Sequence, residues 1–157
     1  MEHKTKIQAE EGKQEIVITR EFEIPVDLLF TAYVEPEVVE QWMGTKVLKL
    51  ESKKFGSYQF ETTDPKGNKH HFSGTIPEFI PGVKITRTFE MENTPFPVQL
   101  EFLTFESLTD DTSMLTMHIV YRSIADRDNM LKLPFAQGIN SAHNRLQEIL
   151  NKIKSQT

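Results

Sequence analysis

Five histidines, at positions 3, 70, 71, 118 and 143, are the residues of this chain best suited to proton transfer or metal binding. A metal site on one helix places two histidines four residues apart, and none of the five has that spacing. His70 and His71 are neighbours on a predicted strand, so their side chains point to opposite faces and cannot bind one ion together. The chain has no cysteine, which excludes thiolate nucleophiles, disulfides and thiolate metal ligands. We expect no metal, no cofactor and no catalytic nucleophile.

His143 is the histidine with the strongest case for a role in a site. It lies one position beyond Ala142, at the border of the apolar stripe of a predicted C-terminal helix. From there it would reach the interior as a hydrogen-bond partner or proton carrier. The alternative is an ordinary histidine at the edge of the core. Asn140 and His118 are the other candidates for proton transfer.

Phenylalanine dominates the aromatic residues, with 11 Phe against 3 Tyr and 1 Trp. Many of these rings lie on predicted strands that turn one face toward the helix, which favours a cavity that selects a ligand by shape. Trp42 would lie at its mouth, where the indole can stack on a ligand. In the alternative interpretation, the same side chains simply fill a closed core. The candidate cavity residues are Trp42, Tyr58, Phe60, Phe72, Phe89, Phe102, Met117, Phe135, Ile139 and His143.

Some polar residues interrupt strands that are otherwise apolar, namely Arg20, Arg87, Glu101 and His118. An arginine that faced the interior would need a partner and could bind an anion at the cavity floor. We expect the arginines to face outward into solvent. Gly138, inside the predicted helix, indicates that another group approaches the backbone closely, most simply in packing between helix and sheet.

The pattern of the first half of the chain predicts the elements that position these residues. A period of two over residues 16–24 predicts a strand, and Pro25 and Pro36 then begin two short helices, the second ending near Gly44. Turn residues at 64–68 and 81–82 indicate antiparallel hairpins. Within residues 98–107 the apolar positions change face, which predicts a β-bulge. The further strands are predicted at 46–52, 57–63, 69–79, 83–91, 98–107 and 113–122.

The last part of the chain has helical periodicity. Ser123, three residues before Asp126, has the pattern of a helix N-cap. Apolar residues then recur at steps of three and four, which predicts a helix of about twenty residues with one apolar face. The members of this stripe are Phe135, Ile139, Ala142, Leu146, Ile149 and Ile153.

Length and charge limit the class of protein. At 157 residues and 18.2 kDa the chain is the size of one domain, and we expect a flexible arm over residues 1–14 and a single domain over 15–157. The net charge of -5 disfavours nucleic acid and anionic membranes as partners. No apolar stretch is long enough to span a bilayer and no secretory signal is seen, so we expect a soluble, cytoplasmic protein.

Short blocks of the sequence, in order, resemble a known family. They include Gln41-Trp42-Met43-Gly44, Phe55-Gly56-Ser57-Tyr58-Gln59-Phe60 and Gln137-Gly138-Ile139-Asn140, together with residues 18–20, 24–25, 29–30, 36–37, 65–68, 72–76 and 145–146. Together they are similar to the activator of Hsp90 ATPase homologue 1-like family of the START-like (SRPBCC) superfamily, over about residues 16–150. The chain departs from the family pattern in having Ile139 where a tryptophan is usual and a single Gly56 where a pair is usual.

The resemblance implies a fold and a short list of functions. The implied fold is the α+β helix-grip fold: a curved antiparallel sheet wrapped around a long C-terminal helix, with two short helices after the first strand. The first functional hypothesis is a noncatalytic protein that encloses a small hydrophobic ligand between sheet and helix. The alternatives are a domain that docks on an Hsp90-type chaperone, and an enzyme similar to polyketide cyclases, aromatases or hydrolases. The sequence does not decide between a monomer and a homodimer.

Overall fold

A computed structural model describes residues 3–156 of the chain. Within these residues, nine strands and four helices follow one another in the order ββααβββββββαα. The strands are β1 (Lys6–Gln8), β2 (Glu15–Phe22), β3 (Lys46–Leu50), β4 (Gly56–Thr63), β5 (Lys69–Ile76), β6 (Glu78–Ile80), β7 (Lys84–Met91), β8 (Gln99–Thr109) and β9 (Thr112–Val120). The helices are α1 (Val26–Val34), α2 (Pro36–Met43), α3 (Ile124–Leu131) and α4 (Phe135–Ser155).

All strand pairs are antiparallel, and the sheet order is β1-β2-β9-β8-β7-β5-β4-β3, with β6 paired to β7. The curved sheet, the two short helices after β2 and the long C-terminal helix α4 form the α+β helix-grip fold that the family resemblance implies. We call the face of the sheet toward α4 the inner face. In the described part of the chain, no helix is long and apolar enough to cross a membrane.

Local signals in the sequence predict several element ends correctly. Pro36 is the first residue of α2, and Gly44 ends this helix in the left-handed conformation with φ of 63°. The side chain of Ser123 caps α3 by accepting a hydrogen bond from the backbone N–H of Asp126 at 3.0 Å. Each of these helix ends depends only on residues that are close in sequence, so the sequence pattern is sufficient to predict it.

The structure differs from the predicted elements at the N-terminal arm. Residues 6–8 form β1 at the edge of the sheet, where Ile7 is opposite Ile18 of β2, so this part of the arm belongs to the fold. The prediction of a loose segment over residues 1–14 is therefore wrong for β1. Residues 1 and 2 lie outside the described part.

Two strands also differ from the prediction. The strand predicted over residues 69–79 is divided into β5 and β6, because Pro77 between them has no N–H to donate to a ladder. No bulge occurs at residues 100–105: β8 keeps a continuous register with β9 from Leu100 to Ser107, and its irregularity lies between Ser107 and Thr109. The apolar residues of β8 therefore lie on both faces of a regular strand.

Candidate functional site

Helix α4 runs in the same direction as β2 across the inner face. Asn144 accepts a hydrogen bond from Arg20 of β2 at 2.9 Å, and Gln147 accepts one from the backbone N–H of Glu23 at 3.0 Å. The C-terminal half of α4 covers a closed core, because its Leu146 and Leu150 are fully buried. The N-terminal half of α4 packs less closely on the sheet, as the half-buried side chains of Phe135 and Ile139 show.

The inner face carries a buried ion pair. Arg87 of β7 lies opposite Glu101 of β8, and its Nε donates to Glu101 Oε1 at 2.8 Å. Gln99, two residues before Glu101 on the same face, donates to the second carboxylate oxygen at 2.7 Å. The two charged side chains retain only 12% and 5% of their exposure, so each depends on the other for compensation of its charge. This arrangement is a fixed polar centre inside the domain.

The three tyrosines of the chain surround this ion pair. The guanidinium carbon of Arg87 lies 5.8 Å from the ring centre of Tyr33 and 5.6 Å from that of Tyr58. Tyr121 follows β9 on the inner face, next to the strand positions of Gln99 and Glu101. Burial raises the pKa of all three hydroxyls well above its usual value, so they are neutral. The charge of Arg87 partly offsets this rise at Tyr33 and Tyr58, and the charge of Glu101 adds to it at all three.

The tyrosine hydroxyls differ in their hydrogen bonds. Tyr58 donates to the backbone oxygen of Thr88 at 2.5 Å. The hydroxyls of Tyr33 and Tyr121 are buried and have no partner within residues 3–156. A buried hydroxyl without a partner costs free energy, so such a group usually indicates a binding role or bound water.

Gly74 makes the Tyr58 contact possible. A Cβ built on Gly74 would lie 2.0 Å from the backbone oxygen of Thr88 and 2.7 Å from the Tyr58 hydroxyl. Only a residue without a side chain fits at this position of β5. Neither Gly74 nor Gln99 was a candidate from the sequence, because their importance depends on which strands are neighbours.

Most predicted cavity residues lie on the inner face, on α4 or, in the case of Trp42, on α2, and they form two groups. Trp42, Tyr58, Phe60, Met117 and His143 are buried. Phe72, Phe89, Phe135 and Ile139 are half-buried, and the rings of Phe72 and Phe89 stack with centres 5.6 Å apart. Phe89 is opposite Gln99 in the ladder, so the half-buried rings continue directly from the polar centre.

Phe102 is not a cavity residue, and this part of the prediction is wrong. It alternates with the buried residues Glu101 and Leu103, so it lies on the outer face of the sheet. There its ring faces His118 with centres 5.7 Å apart, and His118 also contacts Glu15. His118 is on the outer face as well, so it cannot transfer a proton inside the domain.

Trp42 differs from its predicted environment. Its indole N–H donates to the backbone oxygen of Ala32 at 2.7 Å, and only 5% of the residue is exposed. Its ring contacts that of Tyr33, with centres 5.3 Å apart. Trp42 is therefore a core residue beside the polar centre, and its N–H is not available to a ligand.

His143 lies against Phe22 of β2 and against Thr5, which precedes β1. Thr5 Oγ1 lies 2.7 Å from Nδ1 of His143 and accepts a hydrogen bond from Arg20. We therefore assign the Thr5 hydroxyl as the donor and Nδ1 of His143 as the acceptor. Nε2 of His143 is buried and has no partner among the described residues. Burial, followed by the charge of Arg20, lowers the pKa of His143 to about 3, so the ring is neutral. Asn140 accepts from Thr5 N and from Arg20, which makes it a structural residue.

Two further expectations are wrong. Arg20 and Arg87 face inward and are paired, because they share a face with the buried apolar residues of their strands. Gly138 is exposed, and a Cβ built there would meet no atom within 4 Å, so close packing does not explain it.

Surface grooves of about 340 and 550 Å³ lie away from the polar centre. One of about 340 Å³ lies along β1 and is lined by residues that include His3, Lys6 and Thr19. Its polar lining and open shape differ from the interior beneath α4. The polar centre is therefore the candidate site that the fold itself encloses.

The fold defines the class of protein as a START-like helix-grip domain. The family model "Activator of Hsp90 ATPase homolog 1-like protein" matches residues 23–151, and the chain belongs to this family. The fold of the family supports ligand binding in general. No curated protein matches the sequence.

Solved structures share the fold at low sequence identity. Protein Ms6760 from Mycobacterium smegmatis is 22% identical with a TM-score of 0.83, over 94% of this chain and 96% of that one. A protein from Rhodobacter sphaeroides is 18% identical with a TM-score of 0.85, over 95% and 99%. DynU16, a protein in the dynemicin biosynthetic locus, is 14% identical with a TM-score of 0.72, over 88% of this chain and 48% of that one. At these identities the likeness concerns the fold alone.

Proposed function

We propose that the protein is a noncatalytic binding protein that encloses a small, mainly hydrophobic molecule between the inner face and the N-terminal half of α4. The observation that carries this proposal is the difference between the two halves of the helix. Leu146 and Leu150 are fully buried over a closed core, whereas Phe135 and Ile139 are half-buried. Half-buried apolar side chains gain free energy when a ligand covers them.

The enclosing surface is apolar at its edge and polar at its centre. The stacked rings of Phe72 and Phe89 supply the apolar edge. The proposal does not need a reacting group: His118 is outside, and His143 and Asn140 are engaged with Thr5. Binding is therefore better supported than the cyclase-like or hydrolase-like alternative.

Titration with N-phenyl-1-naphthylamine, a neutral hydrophobic fluorophore, tests the proposal. We expect saturable binding with one molecule per chain. Ala142→Phe fills the sheet-facing stripe of α4 and should abolish binding, while Ala136→Phe, at an exposed position of the same helix, should retain it. Circular dichroism shows whether both variants keep the fold. Binding that does not saturate, or that is equal in the two folded variants, contradicts the proposal.

The family description favours a second function, docking on an Hsp90-type chaperone. The net charge of -5 and the exposed apolar residues of the surface are compatible with a protein partner. The test is the ATPase rate of the Hsp90-type chaperone of the same organism, measured with and without the purified protein. A rate that stays constant at saturating protein removes this function.

A further inference from the structure

The polar centre has more hydrogen-bond donors than the protein itself uses. The Nε–H of Arg87 donates to Glu101, and within the described residues its Nη groups make no hydrogen bond. The hydroxyls of Tyr33 and Tyr121 are buried without a partner in the same part of the chain. These donors belong to α1, to β7 and to the residue after β9. Arg87 lies beside the ring of Tyr33, and the charge of Glu101 acts on both tyrosine hydroxyls.

The charge of the centre is already balanced. Glu101 compensates Arg87 at 2.8 Å, and it also accepts from Gln99, so the centre as a whole is neutral. A buried carboxylate or phosphate would add an uncompensated negative charge beside Glu101, which is unfavourable at low polarity. A neutral acceptor, such as a carbonyl oxygen, adds no charge and still satisfies the free donors.

We infer that the Arg87, Tyr33 and Tyr121 donors form a subsite for an uncharged oxygen acceptor of the ligand. The ligand class is a neutral aromatic or acyl molecule that carries a carbonyl group. Its apolar body lies against the stacked, half-buried rings of Phe72 and Phe89, of which Phe89 is opposite Gln99 in the ladder. The inference rests on the proposed binding function and specifies the chemistry of its ligand.

The hydrogen bonds also distinguish a ligand-binding role of the Tyr33 and Tyr121 hydroxyls from a structural role. A hydroxyl that stabilises the fold has a protein partner, as Ser113 has in the backbone oxygen of Ile24 at 2.7 Å. Tyr33 and Tyr121 have none among residues 3–156, so the fold gains nothing from their hydroxyl groups. Replacing them by phenylalanine removes the donors and keeps the rings.

Displacement of N-phenyl-1-naphthylamine by matched naphthalenes tests the inference. The probes are 2-acetonaphthone with a carbonyl, 2-ethylnaphthalene without an acceptor, and 2-naphthoate with a charge. If 2-acetonaphthone gains one net hydrogen bond, it should displace half of the fluorophore at a concentration roughly tenfold lower than 2-ethylnaphthalene. We expect 2-naphthoate to be the weakest of the three.

Variants assign the preference to the hydroxyl groups. The double variant Tyr33→Phe/Tyr121→Phe should keep or raise its melting temperature, keep its fluorophore binding, and lose the preference for 2-acetonaphthone. Ser113→Ala, the matched control, should melt at a lower temperature and keep the preference.

The outcomes distinguish the two proposals. Equal displacement by 2-acetonaphthone and 2-ethylnaphthalene, or a preference unchanged in the double tyrosine variant, overturns the subsite and leaves the binding function standing. Strongest displacement by 2-naphthoate overturns the assignment to a neutral acceptor. Absence of saturable fluorophore binding in the wild-type protein overturns the binding function, and the subsite with it.

Discussion

Arg87 and Glu101 face each other across β7 and β8 on the inner face of the sheet, with 2.8 Å between Arg87 Nε and Glu101 Oε1. The pair is enclosed by the rings of Tyr33 and Tyr58. A closed apolar core would exclude such a pair, because two charges lose their hydration there. Its position beneath α4 makes it the chemical centre of the domain.

We predict that Glu101→Gln is strongly destabilising. The substitution keeps the shape of the side chain and leaves the charge of Arg87 buried without compensation, which should lower the free energy of unfolding by about 3 kcal/mol. Urea denaturation measures this change. The double variant Arg87→Met/Glu101→Leu removes both charges and should recover most of the loss. Equal stability of Glu101→Gln and the wild type would show that the pair is not coupled.

A pair of glycine substitutions tests the packing at Tyr58. Gly74→Ala places a methyl group against the backbone oxygen of Thr88 and should lower the free energy of unfolding by about 3 kcal/mol. Gly138→Ala, at an exposed helical position with open space around it, should raise it by about 1 kcal/mol. Thermal denaturation of both variants gives the comparison. A destabilising Gly138→Ala would contradict the open surroundings of that residue.

The parts of the fold that could be predicted from the sequence depend on local patterns. The stripe from Phe135 to Ile153 predicts α4, and the Ser123 cap and the Gly44 end follow from single residues and their neighbours. The order of the elements also followed from the pattern, and the family resemblance added the curved sheet wrapped around the C-terminal helix. The edge strand β1 was missed because three residues are too few for a periodic signal.

The polar centre and the separate contact of Arg20 with α4 could not be predicted, because both depend on how distant elements of the chain lie against each other. Arg87 and Glu101 are 14 residues apart, and Arg20 and Asn144 are 124 residues apart. A signal for their inward position did exist: Arg20 alternates with Ile18 and Phe22, which are both buried on the same face. When the residues two positions before and after a strand residue are buried and apolar, this alternation is therefore better evidence for its burial than its residue type.

The contact between Thr5 and His143 predicts that the N-terminal segment stabilises the fold. Thr5→Val removes the hydroxyl 2.7 Å from Nδ1 of His143 and leaves a buried acceptor without a partner. The free energy of unfolding should fall by about 1–3 kcal/mol in urea denaturation. Thr104→Val, at an exposed position on the outer face of β8, is the control and should change it by less than about 0.5 kcal/mol. Equal effects of the two substitutions would show that Thr5 acts only as a surface residue.

Neutral His143 predicts a specific loss of stability in mild acid. Its pKa is about 3 in the folded protein because of burial and the charge of Arg20, against about 6.5 in the unfolded chain. Between these values the unfolded state binds a proton that the folded state does not, so stability is complete above pH 6.5 and falls as the pH decreases toward 3. At pH 5 the loss due to His143 should be about 2 kcal/mol.

The contribution of His143 is isolated by comparison with His143→Asn, which keeps an acceptor near the position of Nδ1 and does not titrate. Other ionisable groups contribute equally to both proteins, so the difference between their two pH profiles belongs to His143. We expect the wild type to lose about 2 kcal/mol more than the variant between pH 7.5 and pH 5, measured by urea denaturation at each pH. Parallel profiles would mean that His143 takes up its proton at the same pH in the folded and unfolded states, which would contradict its buried contact with the Thr5 hydroxyl beside Arg20.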